Sequence, residues 1–376
     1  MSLLRAPVLT VLGSDAARAL VTGPLGRSVA ARFVAGETLD DALGVAADLR
    51  GRGIRTILDH LGENVASPVQ EAAAVADYVE ALRRIRTDDP GVAVSVKLTQ
   101  LGLDTSVERC LEAMETVLAA ADPAGPVVMI DMEGSAYVDA TLRVFRELRA
   151  RGRRVGLALQ AYLHRTPADV ESLPEASVVR LVKGAYLEPP DVAIADRSEV
   201  DRAFARLAAT LFARGHTVHV ATHDPALIHG AREHIAGRRV PLERVEFQML
   251  HGIRRDLQAS LADEGLPVRI YVPYGTDWYP YFVRRLAERP ANLWFFVSNL
   301  LRRPRPATTD ARPARACRRR TRRRGRGGAG ATPSRRPRRG VRRRRRASAR
   351  GTGRHRPRRA APRSMARRRS PPTGRS

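Results

Sequence analysis

Cysteine and long apolar runs are almost absent from this sequence of 376 residues. Its two cysteines, Cys110 and Cys317, are far apart, which excludes a disulfide framework or a cysteine-based zinc site and fits a reducing compartment. No apolar run approaches the roughly 20 residues of a membrane-spanning helix. The N-terminus lacks the basic lead and the long apolar region of a secretory signal. We therefore expect a cytoplasmic protein.

Lysine is also scarce, because arginine supplies all but two of the 66 basic residues. The exceptions are Lys97 and Lys183, each at the end of an apolar run. A sequence with this bias has replaced lysine wherever arginine would serve, so we infer that these two positions need a compact ammonium group rather than a planar guanidinium. Such lysines could form a Schiff base, bind a carboxylate or contact a phosphate, and chance retention is the alternative.

Acidic residues are missing from the C-terminal part of the chain. Residues 302–376 contain 31 arginines and one acid, Asp310, for a net charge of +30, whereas residues 1–301 carry −3. The total charge of +27 is therefore no argument that the whole protein binds nucleic acid. This tail also lacks Leu, Ile, Phe, Tyr and Trp, so it cannot bury enough apolar surface to fold and is predicted to be disordered.

Two interpretations of the tail stay open. Its arginine runs could neutralise phosphates, as a non-specific nucleic-acid arm or an anionic-membrane arm would. Alternatively, its composition of Arg, Ala, Pro, Gly, Ser and Thr is what a GC-rich gene encodes when it is read out of frame. We favour the second interpretation and expect no specific nucleic-acid partner.

Apolar, β-branched runs recur in the rest of the chain and alternate with helical patterns. The runs are 54–59, 92–98, 126–132, 155–160, 178–183, 217–222, 244–249 and 267–272. Such runs alternating with helices predict an α/β fold with a parallel sheet buried on both faces. Eight strand–helix units in about 250 residues predict a (βα)8 barrel of the TIM type.

The remaining segments suggest how the chain is divided. Residues 14–50 are predicted to add helices before the barrel, and residues 290–301 one helix after it. We expect an N-terminal helical segment (1–50), a barrel domain (51–301) and the disordered tail (302–376). Among the helices, residues 69–85 place Val69, Ala73, Ala76, Val79 and Leu82 along one face. No G-x-G-x-x-G motif follows a strand, which argues against a Rossmann dinucleotide-binding domain.

Polar or ionisable residues follow every predicted strand. In a (βα)8 barrel these strand ends meet at the face that carries the active site. They are Asp59 with Glu63, Lys97, Asp131, Gln160, Lys183, Thr222 with His223, Gln248, and Tyr271. Because burying unpaired charge at strand ends is costly, the complete set predicts a catalytic face rather than a barrel held together by packing alone.

Three further groups allow two interpretations each. Arg284 and Arg285 could bind a carboxylate or phosphate, or lie on a solvated helix face beside Glu288. Thr222 and His223 could bind a ligand, or Asp224 could cap a helix next to a structural histidine. Gly184 would let the backbone approach a ligand closely, with Tyr186 as a wall, although this signal is weak. His216, His219 and His223 form no closed ligand set, so we predict no metal.

Together, nine short segments resemble the proline dehydrogenase family in its monofunctional bacterial form. They are residues 58–63 (LDHLGE), 95–98 (SVKL), 130–133 (IDME), 159–162 (LQAY), 180–186 (RLVKGAY), 221–224 (ATHD), 247–250 (FQML), 271–275 (YVPYG) and 281–288 (YFVRRLAE). They occur in family order at the predicted strand ends. The resemblance implies an FAD-dependent (βα)8-barrel enzyme that oxidises L-proline to 1-pyrroline-5-carboxylate, the first step of proline degradation to glutamate.

The same resemblance implies roles for individual residues. Asp131, Lys97 and Arg180 would be catalytic. The proline carboxylate would be held by Lys97, Arg284 and Arg285, the ring walled by Tyr186, Leu250 and Tyr271, and the substrate gated by Glu63 paired with Arg284. FAD would be bound by Met132, Gln160, Arg180, Lys183, Gly184, Ala185, Thr222 and His223. Electrons would pass to a membrane quinone, which implies peripheral contact with the inner face of the membrane.

Some residues depart from the family pattern, and rival functions remain. His251 stands where we expect an aromatic residue such as tyrosine, and Arg197 stands where lysine is common; the tail is foreign to the family. Lys183 could instead form a Schiff base in an aldolase-type lyase on the same barrel. A third class is a non-specific nucleic-acid-binding protein that uses the tail. The sequence carries no signal for oligomeric state.

Overall fold

The eight apolar runs form eight parallel strands that close into a barrel in chain order. The computed structural model describes residues 30–62, 65 and 67–288. Glu63, the helix expected at 290–301, most of the N-terminal segment and the tail lie outside these residues. The strands are β1 Arg55–His60, β2 Ala93–Val96, β3 Val128–Ile130, β4 Val155–Gln160, β5 Val178–Val182, β6 Thr217–Ala221, β7 Val245–Leu250 and β8 Val268–Tyr274. The predicted (βα)8 barrel is confirmed.

Helices follow each strand on the outside of the barrel, and one precedes β1. They are α1 Leu39–Arg50, α2 Pro68–Asp88, α3 Val107–Ala120, α4 Val138–Ala150, α5 Thr166–Glu171, α6 Arg197–Ala213, α7 Pro225–Arg238, α8 Arg255–Asp263 and α9 Trp278–Glu288. Short 3-10 helices lie at Leu98–Leu101, Ser135–Tyr137 and Leu242–Arg244. Helix α1 confirms an added helix before the barrel.

Local sequence explains where several helices begin. Pro68 and Pro225 are the first residues of α2 and α7, where a missing backbone N–H costs nothing. Thr38 caps α1 with its hydroxyl, which accepts from the backbone N–H of Asp41, while the Asp41 carboxylate accepts from the backbone N–H of Thr38. This reciprocal pair satisfies two donors that the helix itself cannot.

The two faces of the strands have different environments. The outer faces pack against the helices in one large apolar core, whose fully buried side chains include Phe145, Phe204 and Phe247. A second, small apolar cluster consists of Ile57, Ala93 and Met129. Because side chains alternate along a strand, the residues two further on share the face of that small cluster, and they are the polar Asp59, Ser95 and Asp131. The barrel interior is therefore apolar in a thin layer and polar toward the carboxyl ends of the strands.

The buried face of α2 differs from the expected one. Its buried residues are Glu71, Ala74, Tyr78, Ala81, Leu82 and Ile85, whereas Val69 is 79% exposed. After a first step of four residues from Val69 to Ala73, the expected stripe advanced in steps of three, and each step of three falls about 60° short of a full turn. Ala73 and Leu82 therefore lie on opposite sides of the helix, and only Leu82 of the expected stripe is buried.

The corrected face predicts opposite outcomes for two aliphatic residues of α2. Leu82→Ala removes a side chain that is 6% exposed, so we expect a loss of about 2–5 kcal/mol in the free energy of unfolding. Val69→Ala, on the exposed side, should change it by no more than about 0.5 kcal/mol. Urea unfolding of both variants measures the difference, and comparable losses would contradict the assignment of the face.

Candidate active site

Lys97 and Asp59 form a buried ion pair at the carboxyl ends of β1 and β2. The Lys97 Nζ atom lies 2.5 Å from Asp59 Oδ1, and the two side chains are 7% and 1% exposed. Burial raises the pKa of the Asp59 carboxyl, and the positive charge of Lys97 opposes that rise. The scarce lysine that the sequence singled out thus occupies a site from which water is largely excluded.

Asp131 lies at the centre of a second buried group. Its Oδ1 atom accepts from the Ser95 hydroxyl at 2.7 Å and from Nη1 of Arg180, and its Oδ2 atom accepts from the Tyr271 hydroxyl at 2.7 Å. Burial and the charges of Asp131 and Asp59 raise the pKa of Tyr271 well above its usual value. Tyr271 therefore keeps its proton and acts as a donor to Asp131.

Arg180 extends from β5 into the barrel interior and is almost fully buried. Its Nε atom donates to Gln248 Oε1 at 2.7 Å, its Nη1 atom also donates to the Ser95 hydroxyl at 3.0 Å, and its Cζ atom lies 5.2 Å from the centre of the Tyr271 ring. The Nη2 atom has no hydrogen-bond partner among the described residues. A buried guanidinium nitrogen without a partner is costly, so this atom indicates the direction from which a ligand would bind.

Gln160 and Lys183 hold the loops after β4 and β5. Gln160 Nε2 donates to the backbone oxygen of Glu133 at 2.9 Å, and Gln160 Oε1 accepts from the backbone N–H of Ala185 at 3.4 Å. Lys183 Nζ lies 2.5 Å from Asp201 Oδ1 and 2.9 Å from Asp224 Oδ2. These two ion pairs connect the end of β5 to α6 and to the start of α7.

Gly184 has a backbone conformation that other residues adopt rarely. Its φ angle is +128°, and an added Cβ atom would lie 2.2 Å from Cδ1 of Tyr162. Half-buried Tyr186 follows two residues later, and its backbone oxygen accepts from the Tyr162 hydroxyl at 3.4 Å. The glycine is therefore required by local packing as well as by any ligand.

The segment after β6 shows the helix cap and the structural histidine that one interpretation of its sequence predicted. The Asp224 carboxylate caps α7 by accepting from the backbone N–H of Ala226 at 3.0 Å, as the structural interpretation expected. The Nε2 atom of His223 accepts from the backbone N–H of Leu250 at 2.8 Å, which orients the ring and ties β6 to the end of β7. Thr222 and Met132, which follow β6 and β3, are both buried.

The arginine pair on α9 is not on a fully solvated helix face. Arg285 is 8% exposed, and its Cζ atom lies 5.1 Å from the centre of the Tyr281 ring, while Arg284 is half-buried. Burial of a guanidinium group indicates a structural or ligand role rather than simple solvation. Glu63, which was predicted to pair with Arg284 as a gate over the substrate, lies outside the described residues.

Several polar residues of the interior were missed from the sequence. Ser95 contacts both Asp131 and Arg180, and Glu246 and Arg269 continue the network below Gln248, which the sequence had already indicated. Period-two alternation could have found them, because Ser95 precedes Lys97 by two residues and Glu246 precedes Gln248 by two. Within the described residues, no cluster of three metal-ligating side chains is suited to a metal ion, and no helix is long and apolar enough to span a membrane.

Comparison with known proteins identifies the family. The sequence model of the family described as proline dehydrogenase matches residues 42–297. The chain belongs to the proline dehydrogenase family. Members of this family are flavin-dependent oxidoreductases of proline catabolism, so the resemblance and the enzyme class expected from the sequence are confirmed. The lyase and nucleic-acid alternatives are not favoured.

Individual relatives include bacterial enzymes of similar length. Proline dehydrogenase 1 of Bacillus subtilis subsp. natto is 38% identical over 275 residues, which cover 73% of this chain and 91% of the relative. Proline dehydrogenase of Deinococcus radiodurans is 38% identical over 281 residues, with 73% and 91% covered. The crystal structure of proline utilization A (PutA) from Bdellovibrio bacteriovorus, inactivated by N-propargylglycine, superposes with a TM-score of 0.66 at 25% identity. That match covers 76% of this chain but 36% of the longer protein.

The buried His219 should make the protein less stable in weak acid. Burial lowers its pKa from 6.5 to about 4. As the pH falls through this window the unfolded chain gains a proton that the folded protein does not, so stability falls by up to about 3 kcal/mol. In urea unfolding at pH 7 and pH 5, His219→Gln should lose less stability than the wild type, and His229→Gln on the surface of α7 should not differ from it. Equal acid losses in all three proteins would contradict this role.

Proposed function

We propose that this protein oxidises L-proline to 1-pyrroline-5-carboxylate with FAD as hydride acceptor. The observation that carries the proposal is the placement of Arg180. It lies beside Asp131 and Tyr271 in the interior of a proline dehydrogenase family barrel, and one of its buried guanidinium nitrogens has no partner among the described residues. Proline has an anionic carboxylate and a ring from which hydride must leave. The site contains cationic side chains that suit the carboxylate and aromatic side chains that suit the ring.

The residues at the strand ends fit a flavin. Within the part of the chain that the structure describes, the Nη2 atom of Arg180 is a donor without an acceptor, and flavin supplies carbonyl oxygens and ring nitrogens as acceptors. We propose that FAD is held by Met132, Gln160, Arg180, Lys183, Gly184, Ala185, Thr222 and His223. When bound, FAD supplies the electron-accepting chemistry that no side chain provides. The charge of Arg180 would favour the reduced, anionic state of the flavin.

The substrate carboxylate needs cations in a site that excludes water. We propose that Lys97, Arg284 and Arg285 bind it by charge-assisted hydrogen bonds. Tyr186, Leu250 and Tyr271 would form the walls around the ring, and Glu63 would close over it with Arg284. Because Asp59 already partners Lys97, that lysine is held in one position before substrate arrives, which reduces the ordering that binding requires.

Asp131 and Tyr271 would control the proton balance around the reacting ring. Hydride leaves the carbon next to nitrogen, so the substrate amine must be neutral when transfer occurs. Tyr271 keeps its hydroxyl proton and donates a hydrogen bond to Asp131 Oδ2. Asp131 therefore remains a hydrogen-bond acceptor beside Arg180. In this proposal Asp131 and Tyr271 orient the substrate for hydride transfer.

The remaining assignments extend the proposal beyond the barrel. We propose a membrane quinone as the electron acceptor, reached by peripheral contact of a cytoplasmic protein with the inner face of the membrane. We also retain the division into residues 1–50, 51–301 and 302–376, with catalysis confined to the barrel. The tail then contributes no specific nucleic-acid recognition.

Anaerobic titration of the purified full-length protein tests the proposed function. We expect a yellow protein whose flavin absorbance bleaches when L-proline is added, because hydride transfer reduces the flavin. A panel of cyclic amino acids in the same assay defines the substrate class. A colourless protein that borohydride traps covalently with an aldehyde substrate would overturn the proposal in favour of the Schiff-base lyase.

Replacing Arg284 tests the carboxylate-binding role. A charge-assisted hydrogen bond contributes about 1.5–3 kcal/mol, so Arg284→Met should raise the KM for proline by roughly 10- to 100-fold. Arg83→Met, at an exposed position of α2, should leave KM unchanged. Steady-state kinetics with an artificial electron acceptor measures both. An unchanged KM in Arg284→Met would remove this residue from the substrate site.

A further inference from the structure

A continuous line of hydrogen bonds runs through the barrel interior below Arg180. Arg269 Nε donates to Glu246 Oε1 at 2.8 Å, Gln248 Nε2 donates to the same oxygen at 2.7 Å, and Gln248 Oε1 accepts from Arg180 Nε at 2.7 Å. These four side chains come from β5, β7 and β8, and all are buried. Only Arg180 belongs to the proposed flavin site, so the others require an explanation of their own.

The amide of Gln248 can serve Arg180 in only one orientation. Arg180 Nε is a donor, so it must face the amide oxygen, and the amide nitrogen must then face away. That nitrogen has two acceptors, Glu246 Oε1 at 2.7 Å and His219 Nδ1 at 3.0 Å. A carboxylate is acceptor-only when ionised, so Glu246 rejects the flipped amide, which would bring two oxygens together. Glu246 thereby selects the orientation that supports Arg180.

Glu246 is itself fixed at the opposite end of the barrel. Arg269, its partner, donates through Nη1 to the backbone oxygen of Thr56 at 2.8 Å and to that of Gly91 at 3.3 Å. Arg55 adds a longer contact of 3.4 Å to Glu246 Oε2. The line of hydrogen bonds therefore begins at the backbone oxygens of Thr56 in β1 and Gly91 before β2. It ends at the Arg180 guanidinium group, which lies beside Asp131.

We propose that Glu246 is a positioning residue that orients Gln248 and, through it, holds the Arg180 guanidinium in the plane required for flavin reduction. This inference rests on the proposed function, because it treats Arg180 as a flavin contact. Glu246 touches neither flavin nor substrate. Its effect on the reaction passes entirely through Gln248.

The Glu246→Gln variant tests the orienting role. An amide at position 246 can accept or donate, so it no longer rejects the flipped Gln248 and Arg180 loses its fixed acceptor. In the holoenzyme we expect kcat to fall about tenfold with KM for proline nearly unchanged, because Lys97, Arg284 and Arg285 bind the carboxylate. We also expect the flavin midpoint potential to fall; a tenfold weaker preference for reduced flavin corresponds to about 30 mV for a two-electron couple.

A double-mutant cycle separates an indirect effect from a direct one. In a Gln248→Met background, Glu246→Gln should change kcat by less than twofold and the midpoint potential by less than about 10 mV, because the intermediary is already gone. Additive effects in the cycle would overturn the proposal. The matched control is Glu71→Gln, which removes the charge from another buried glutamate, paired with Arg109 on the outside of the barrel. It should lower stability without shifting the flavin potential.

The remaining outcomes are also decisive. Wild-type protein that binds no flavin, or is not bleached by proline, would contradict the proposed function itself. Wild-type protein that bleaches, with a Glu246→Gln variant of equal potential and kcat, would overturn only the positioning role. If Glu246→Gln does not fold, Glu246→Asp keeps the charge but shortens the reach to Gln248 and should show the same flavin effects. Failure of both variants to fold would assign Glu246 to folding and overturn the proposal.

Discussion

The buried ion pair between Asp131 and Arg180 is the constraint on which the rest of the site depends. Charges inside a barrel are costly unless every donor and acceptor has a partner. Ser95 and Tyr271 therefore complete the hydrogen bonds of Asp131, and Gln248 completes one of those of Arg180. Among the described residues, the Nη2 atom of Arg180 has no hydrogen-bond partner, so an acceptor supplied by a ligand would lower the cost of burying this charge.

The outer and inner faces of the barrel strands have different roles. The outer faces of the strands and the inner sides of the helices form a continuous apolar core that supplies stability. On the inner faces a small apolar cluster lies beside buried polar side chains such as Ser95, Arg180 and Gln248. An interior filled with aliphatic residues would be no less stable. The polar layer is therefore best explained by the chemistry at the strand ends, which needs fixed charges where water is excluded.

Much of the fold and part of the site could be predicted from the sequence. Strand β4 spans the residues that its apolar run indicated, and Lys97 and Asp131 directly follow β2 and β3 as expected, whereas Tyr271, predicted at a strand end, lies in the middle of β8. The predicted buried face of α2 was wrong, because residues spaced three apart do not stay on one side of a helix. Ser95 and Glu246 were not predicted as site residues, because the sequence alone does not distinguish a buried polar residue within a strand from an exposed one.

The sequence by itself determines the strand–helix alternation, the strand ends that carry polar groups and the family motifs, because these depend on neighbours a few positions away. The tertiary structure alone decides which polar groups become partners. Lys97 pairs with Asp59, and Asp131 pairs with Arg180 and Tyr271, across separations of 38, 49 and 140 residues. Such pairings follow from the register and closure of the barrel. No local pattern records that geometry, because it exists only once all eight strands are in place.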